Sequence, residues 1–324
     1  MRFVFLLAWA LVAGCRSTGP VREAYDLVVI APHPDDEVLM AGGLISQRVA
    51  EGKKVAVILV TNGDYTCERD GYQREAESVA ALALLGVKAT DVHFLGYPDG
   101  ALRKLGKTPL PPMEHRDATG ECIARTGTWA DRSAGRIDEH SKRTGAPAEW
   151  TADALVGDLE ALLAMLTPRE VVVAHGVDDH PDHAMTYVYF RRALDRLPNA
   201  PVVVHRAVVH AGPCWPSVRC DPNYFTPELP MPPLPAPLAA YAPLERLSID
   251  PLKKLNAIAV YVSQTGPDAK ANWLSSFARV DEVFFPERYV RQQNHWERAE
   301  PTPGVTEQDR WGPDGYAGLE VRVP

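Results

Sequence analysis

The chain has 324 residues, 46% of them apolar and 23% charged, with 34 basic against 42 acidic side chains. This is the balance of a globular protein, and a net charge of -8 without any Lys/Arg run excludes a general nucleic-acid binder, whose affinity rests on phosphate neutralisation. Gly42-Gly43 lacks the Gly-x-Gly-x-x-Gly spacing, and there is no phosphate-binding loop and no Gly-x-Ser-x-Gly elbow. A nucleotide-cofactor enzyme and a serine hydrolase are therefore not expected.

In chain order, the first feature is an apolar run from Phe3 to Ala13. It is too short for a hydrocarbon core of about 30 Å but suits the centre of an export signal. It ends Leu11-Val12-Ala13-Gly14-Cys15 before polar Arg16-Ser17-Thr18-Gly19-Pro20, an ending that resembles a bacterial lipobox. A plain signal peptide and an apolar first strand are the competing readings. The expectation is a signal over 1–14, lipidation at Cys15 and a linker over 15–24. That makes an exported protein held on a membrane by its lipid, facing the periplasm or cell exterior. In an oxidising compartment Cys67, Cys122, Cys214 and Cys220 can form two disulfides in three ways. Cys214–Cys220 with Cys67–Cys122 is favoured, and four unpaired thiols are the alternative.

From residue 25 to 324 a single domain is expected. Tyr25–Ala31 and Lys54–Thr61 are short β-branched runs that read as buried parallel strands, with a helix over Glu37–Glu51 between them. Gln73–Leu85 reads as a helix ended by Gly86, and Val92–Leu95 as a third strand. A helix over Thr151–Leu166, a strand at Glu170–Ala174, a helix over Pro181–Leu197 and a strand at Pro201–Val209 continue the alternation. Such alternation predicts an α/β fold of Rossmann-like type: an open, mostly parallel sheet with helices on both faces. Two insertions interrupt it. Residues 103–148 read as a long loop or lid, and the proline-rich 212–243 as an ordered surface excursion pinned by Cys214 and Cys220, with a docking site for a proline-reading domain as the alternative.

Two of the predicted strands run directly into clusters of imidazoles and carboxylates. The first leads to Pro32-His33-Pro34-Asp35-Asp36-Glu37, the fourth to His175-Gly176-Val177-Asp178-Asp179-His180-Pro181-Asp182-His183. Open α/β sheets bind ligands at the carboxyl ends of their strands, so the two clusters can converge on one pocket. A catalytic metal needs neutral imidazoles or carboxylates and an open position, together with a base and an oxyanion donor, and the two strings contain all of these groups. His175 either lines the pocket or simply hydrogen-bonds, and His93, His205 and His210, in apolar runs, read as core or edge residues.

The strings His33-Pro34-Asp35-Asp36-Glu37 and His180-Pro181-Asp182-His183 resemble the motifs of the LmbE/PIG-L family of zinc-dependent N-acetylglucosamine deacetylases. Arg74-Glu75-Ala76-Glu77, Gly96-Tyr97-Pro98-Asp99-Gly100 and Lys254–Gln264 agree in order, so the resemblance covers Tyr25 to about Phe285. It implies that His33, Asp36 and His183 bind Zn2+, although Fe2+ or Co2+ could take the same ligands. Asp35 would be the general base for a water activated by the metal, His180 would stabilise the oxyanion, and Asp182 would orient or charge-tune His180. Arg74 and Asp99 would hold sugar hydroxyls. The implied substrate is an N-acetylated sugar or glycoconjugate, with no nucleic acid and no nucleotide cofactor as partner. A non-catalytic carbohydrate-binding lipoprotein and an amidase for a non-sugar acyl amide are the alternatives.

Overall fold

The computed structural model describes residues 24–66, 68–113, 125–198, 203–217, 225–235, 244–267, 272–291 and 296–298. The apolar runs pair as parallel strands: β1 (Leu27–Ala31) lies between β2 (Val55–Thr61) and β4 (Glu170–Ala174), with β3 (Val92–Tyr97) beyond β2 and β5 (Val203–Ala207) beyond β4. β6 (Glu245–Ser248) and β7 (Asp281–Glu287), which the sequence pattern did not announce, extend the sheet antiparallel to give the order β3-β2-β1-β4-β5-β7-β6. A separate antiparallel pair is formed by β8 (Tyr289–Arg291) and β9 (Trp296–Arg298). The sheet is mostly parallel, as expected.

Every residue of β1 and β2 is buried, as two-sided coverage requires. Alternate side chains serve different cores. Leu27, Val29 and Ala31 pack with α1 (Asp36–Ala50), α2 (Glu68–Leu84) and α6 (Pro251–Ile258), while Val28 and Ile30 face α4 (Ala152–Leu166) and α5 (Pro181–Arg196). Thr151 caps α4 by accepting the N–H of Ala154. Gly86 takes φ +91° and lets Val87 N–H return to Leu82 O, which ends the turn after α2. That helix starts five residues before the predicted Gln73, in a polar stretch with no apolar period to reveal it.

α1 is kinked at Ala41 (φ -143°, ψ 18°). The break frees the carbonyl of Leu39 and the amides of Gly43 and Leu44, and a buried ion pair takes all three. Lys254 Nζ on α6 donates to Leu39 O (2.8 Å) and to Glu282 (2.7 Å), and the Glu282 carboxylate on β7 accepts Gly43 N–H (2.7 Å) and Leu44 N–H (2.9 Å). A kinked helix buried on this scale needs such partners for its orphaned groups.

The two insertions correct the sequence reading. Residues 125–148 of the first are not a free lid: Thr128, Trp129, Ala130 and Ala148 are buried. Asp131 caps a 3-10 turn over 132–134, and Asp138 caps α3 (Glu139–Thr144). Glu75 on α2 accepts from Asp131 N–H (3.0 Å) and Arg136 Nε (2.8 Å), and His93 on β3 meets Glu139 at 2.8 Å. Short capping aspartates and isolated aromatics, rather than a periodic apolar face, hold the segment down. In the second, Trp215, Met231 and Leu234 are buried in the core with α1 and α6, so this segment is not purely a surface excursion. Cys214 is disulfide-bonded. Cys15, Cys67, Cys122 and Cys220, with the whole of residues 1–23, lie outside the described residues.

Candidate active site

The sheet edge assembles the site strand by strand. After β1, the N–H and Oγ1 of Thr61 both donate to Pro32 O, which fixes the turn that presents His33. Asp35 then takes φ 128°, ψ -35°, a left-handed conformation that costs a non-glycine residue about 1–3 kcal/mol. The neighbouring Glu37 sustains it: this fully buried carboxylate accepts Asp35 N–H at 2.9 Å and the hydroxyl of Tyr261, next to α7 (Val262–Thr265). After β4, Pro181 occupies the first turn of α5 and brings His183 inward on the helix, while His180 caps it.

The structure brings His33, Asp36 and His183 together. Asp36 Oδ2 lies 2.9 Å from His33 Nδ1 and 3.0 Å from His183 Nε2, and the two nitrogens are 3.2 Å apart. Ligand atoms about 2.0–2.1 Å from one tetrahedral ion stand roughly 3.3 Å from each other, so the three atoms are spaced for a common divalent cation. His180 has a ring nitrogen within 4.8 Å of those of His33 and His183. His33, Asp99 and Asp182 also approach one another closely, but on the opposite side of the His33 ring, at its Nε2. The Asp36-centred set fits a metal better: both Asp182 oxygens accept backbone amides, Gly100 N–H at 2.6 Å and Leu102 N–H at 3.1 Å, whereas Asp36 accepts one, His33 N–H at 3.0 Å, and its Oδ2 faces two ring nitrogens.

Each candidate imidazole ligand is backed by carboxylate. His33 Nε2 faces Asp99 (3.1 Å) and Asp182 (3.3 Å), and His183 Nδ1 faces Asp178 (3.3 Å). This outer support fixes ring orientation in metal sites. Asp178 has no motif role in the sequence, only a place in the string before His180. Its carboxylate also accepts the amides of His180 (3.0 Å), Val209 (2.7 Å) and His210 (3.1 Å), tying the ends of β4 and β5 together.

The carboxylate of Asp182 acts on His180 through its charge, which opposes the loss of the ring's proton, while its hydrogen bonds go elsewhere. It braces His33 and the 99–102 turn, and it is the backbone N–H of Asp182 that donates to His180 Nδ1 (3.3 Å). That bond places the proton of a neutral His180 ring on Nε2. Burial, reinforced by the neighbouring His33 and His183, depresses His180 to about 4.

Asp35 stands beside the three ligand atoms without joining them. Burial pushes its carboxyl up to about 7; Arg74 opposes the shift and Asp36 adds to it. Arg74 Nη2 lies 3.3 Å from Asp35 Oδ2 and donates to Pro34 O at 2.9 Å, and Nη1 lies 3.5 Å from Asp99. Both residues assigned to sugar hydroxyls therefore reach the centre, on the β2–β3 side. Gly63 (φ +68°) makes room for Arg74, since a Cβ there would lie 2.6 Å from its Nε.

His175 is buried against Tyr187 and Phe285, and its Nδ1 accepts Val177 N–H at 3.1 Å, the simpler of its two expected roles. His210, read as core or edge, instead joins the site: its ring lies 5.0 Å from His183 and 5.3 Å from His180, stacked on Trp273. No motif surrounds His210, and only the pairing of β5 with β4 reveals it.

An α/β sheet carrying a His/Asp cluster at the carboxyl ends of two adjacent strands defines this protein's class. The family model described as PIG-L, GlcNAc-PI de-N-acetylase, matches residues 28–194, and the chain belongs to that family. It is 28% identical over 195 residues to the 1D-myo-inositol 2-acetamido-2-deoxy-alpha-D-glucopyranoside deacetylase of Mycolicibacterium smegmatis, covering 55% of this chain and 56% of the relative. It is 30% identical over 176 residues to the enzyme of the same name from Saccharomonospora viridis, covering 52% and 58%. The chain thus spans little more than half the length of these relatives. In structure it resembles the N,N'-diacetylchitobiose deacetylase from Pyrococcus horikoshii, with a TM-score of 0.50 and 18% identity over 82% of this chain and 85% of that one. That likeness concerns the fold.

Proposed function

We propose that this protein is a metal-dependent hydrolase that removes the acetyl group from an N-acetylglucosamine-type sugar or glycoconjugate. The carrying observation is the convergence of His33 Nδ1, Asp36 Oδ2 and His183 Nε2 within 2.9–3.2 Å, with Asp35 and His180 beside them. The names of the relatives support the substrate class. His33, Asp36 and His183 would hold the metal, with zinc the expected ion. A divalent cation so held lowers the pKa of a water and polarises an acyl oxygen.

The side chains supply the rest. Asp35 accepts a proton from the attacking water, for which its raised affinity for a proton suits it. As the water oxygen bonds to the acetyl carbon, the carbonyl oxygen gains charge, and His180 Nε2–H donates to it. Asp35 then returns its proton to the amide nitrogen as the C–N bond breaks, leaving acetate and a free amine. Arg74 and Asp99 hold the sugar on the β2–β3 side.

The test is acetate release from N-acetylglucosamine oligomers by zinc-loaded protein, with and without chelator. Release that stops with chelator and returns with zinc supports the reading; no release from any N-acetyl sugar overturns it. The export of the chain belongs to the same proposal: Cys15 carries a lipid, and the mature protein faces the periplasm or cell exterior. Cys15→Ser should then move the protein from the membrane to the soluble fraction. An unchanged membrane association would overturn the anchor.

A further inference from the structure

Order along the sheet edge fixes the order of groups across the site. From β3 towards β7 the edge presents Asp99, then Arg74 beside the turn after β2, then the His33–Asp36 cluster after β1. His180 and His183 follow after β4, then His210 after β5. The ring distances trace the same path: His33 to His180 is 4.8 Å, His180 to His210 is 5.3 Å, and His210 to Trp273 is 5.1 Å with the two planes 21° apart. The hydrogen-bonding groups for a sugar lie on one side of the candidate ligands, and a flat aromatic wall closes the other.

That wall is firmly set. Trp273 Nε1 donates to Trp215 O at 3.0 Å, and Trp273 packs edge-on against Phe277, which packs on Trp215. The amide of His210 is fixed by Asp178, the residue that also faces His183. Trp273 and His210 are each partly exposed; His210 adjoins His180 and His183, and Trp273 continues the wall by stacking on His210 while its other side packs on the core.

An acyl amide has two ends. With its nitrogen directed to the sugar side, at Arg74 and Asp99, its acyl carbon chain must point the opposite way. We infer that Trp273 and His210 form the acyl wall of the site and set the length of acyl group that is removed. This inference rests on the deacylase reading above and adds the residues that select the acyl group. A rigid wall backed by Phe277 and Trp215 accepts a methyl and rejects longer chains by steric exclusion, and apolar pockets typically discriminate by one methylene on the order of 10–200-fold.

The experiment compares zinc-loaded wild type, Trp273→Ala and Trp273→Phe on glucosamine carrying N-acetyl, N-propionyl or N-butyryl groups, read as free amine released. Wild type should prefer acetyl to butyryl by at least about tenfold in kcat/KM. Trp273→Ala should bring that ratio to within about threefold, mainly by lowering KM for the longer acyl groups. Trp273→Phe, which keeps a flat ring, should preserve the preference. His210→Gly enlarges the same wall and reads the same ratio should Trp273→Ala fail to fold. An unchanged ratio in the folded variants, with acetyl turnover retained, overturns the acyl wall alone. No amine from any substrate with wild type overturns the deacylase reading and the acyl wall with it.

Discussion

The carboxylate of Glu37 accepts the backbone N–H of Asp35 at 2.9 Å and thereby holds a non-glycine residue at φ 128°. The candidate base is thus aimed by its own backbone, and the cost is met by a buried carboxylate that is itself anchored by Tyr261.

Replacing Asp35 separates chemistry from metal binding. Asp35→Ala should keep the metal and lose about 10²–10⁴ in turnover, the usual contribution of a positioned base. Asp35→Gly should be equally inactive yet more stable than Asp35→Ala by about 1 kcal/mol, because glycine takes φ 128° without strain. Metal content and melting temperature of the two variants check this, and loss of metal would show that Asp35 is a ligand.

Lys254 and Glu282 are each almost fully buried. Lys254→Met leaves a buried carboxylate without its cation and should cost about 3–5 kcal/mol in stability. Glu282→Gln leaves the buried Lys254 ammonium without its counter-charge and should cost a similar amount. Denaturant unfolding of both variants checks this; a loss below about 1 kcal/mol in either would remove the special role of the ion pair.

Gly63→Ala should combine two penalties, a left-handed backbone and a Cβ against Arg74. Stability should fall by about 1 kcal/mol or more. Since Arg74 lies on the sugar side, KM for the N-acetyl sugar should rise more than kcat falls. A KM equal to that of wild type would place the sugar elsewhere.

Glu139 joins the 125–148 segment to β3. Burial would raise its carboxyl, but His93 at 2.8 Å and Lys142 at 2.6 Å hold it below the usual range. A depressed carboxyl stabilises the fold above its unfolded pKa of about 4.3, and that contribution is lost as pH falls through the lower folded value. Wild type should therefore melt above Glu139→Gln at pH 6, with the gap closing below pH about 4. A gap independent of pH would mean that Glu139 acts by packing alone.

The chemistry was legible because it is local. His33 and Asp36, three residues apart at a strand end, need no knowledge of distant chain to be seen, and the same holds for His180 and His183. The five parallel strands were legible because burial on both faces leaves continuous β-branched runs such as VVIA and VAVILV. What escaped was set by partners far away in sequence. β6 and β7 carry interleaved charges such as Glu245, Arg246 and Glu282, whose roles arise only in the pairing. Asp182 was assigned to its sequence neighbour His180, and the sheet also brings it to His33, 149 residues away. His210 has no motif and enters the site only through the alignment of β5 with β4.

The kink in α1 has a bearing on how this protein can be divided. All the candidate ligands, the base and the oxyanion donor fall within residues 28–194, the span of the family match. Yet the clamp on α1 comes from Lys254 and Glu282, and the anchor for Glu37 from Tyr261. A fragment trimmed to the matching span would keep Thr61, Asp99, Asp178 and Asp182 around the candidate ligands but lose the clamp on α1 and the anchor of Glu37. The half of the chain that holds the candidate site is therefore not a module that can be cut out or grafted without loss; part of its shape is set from the C-terminal side.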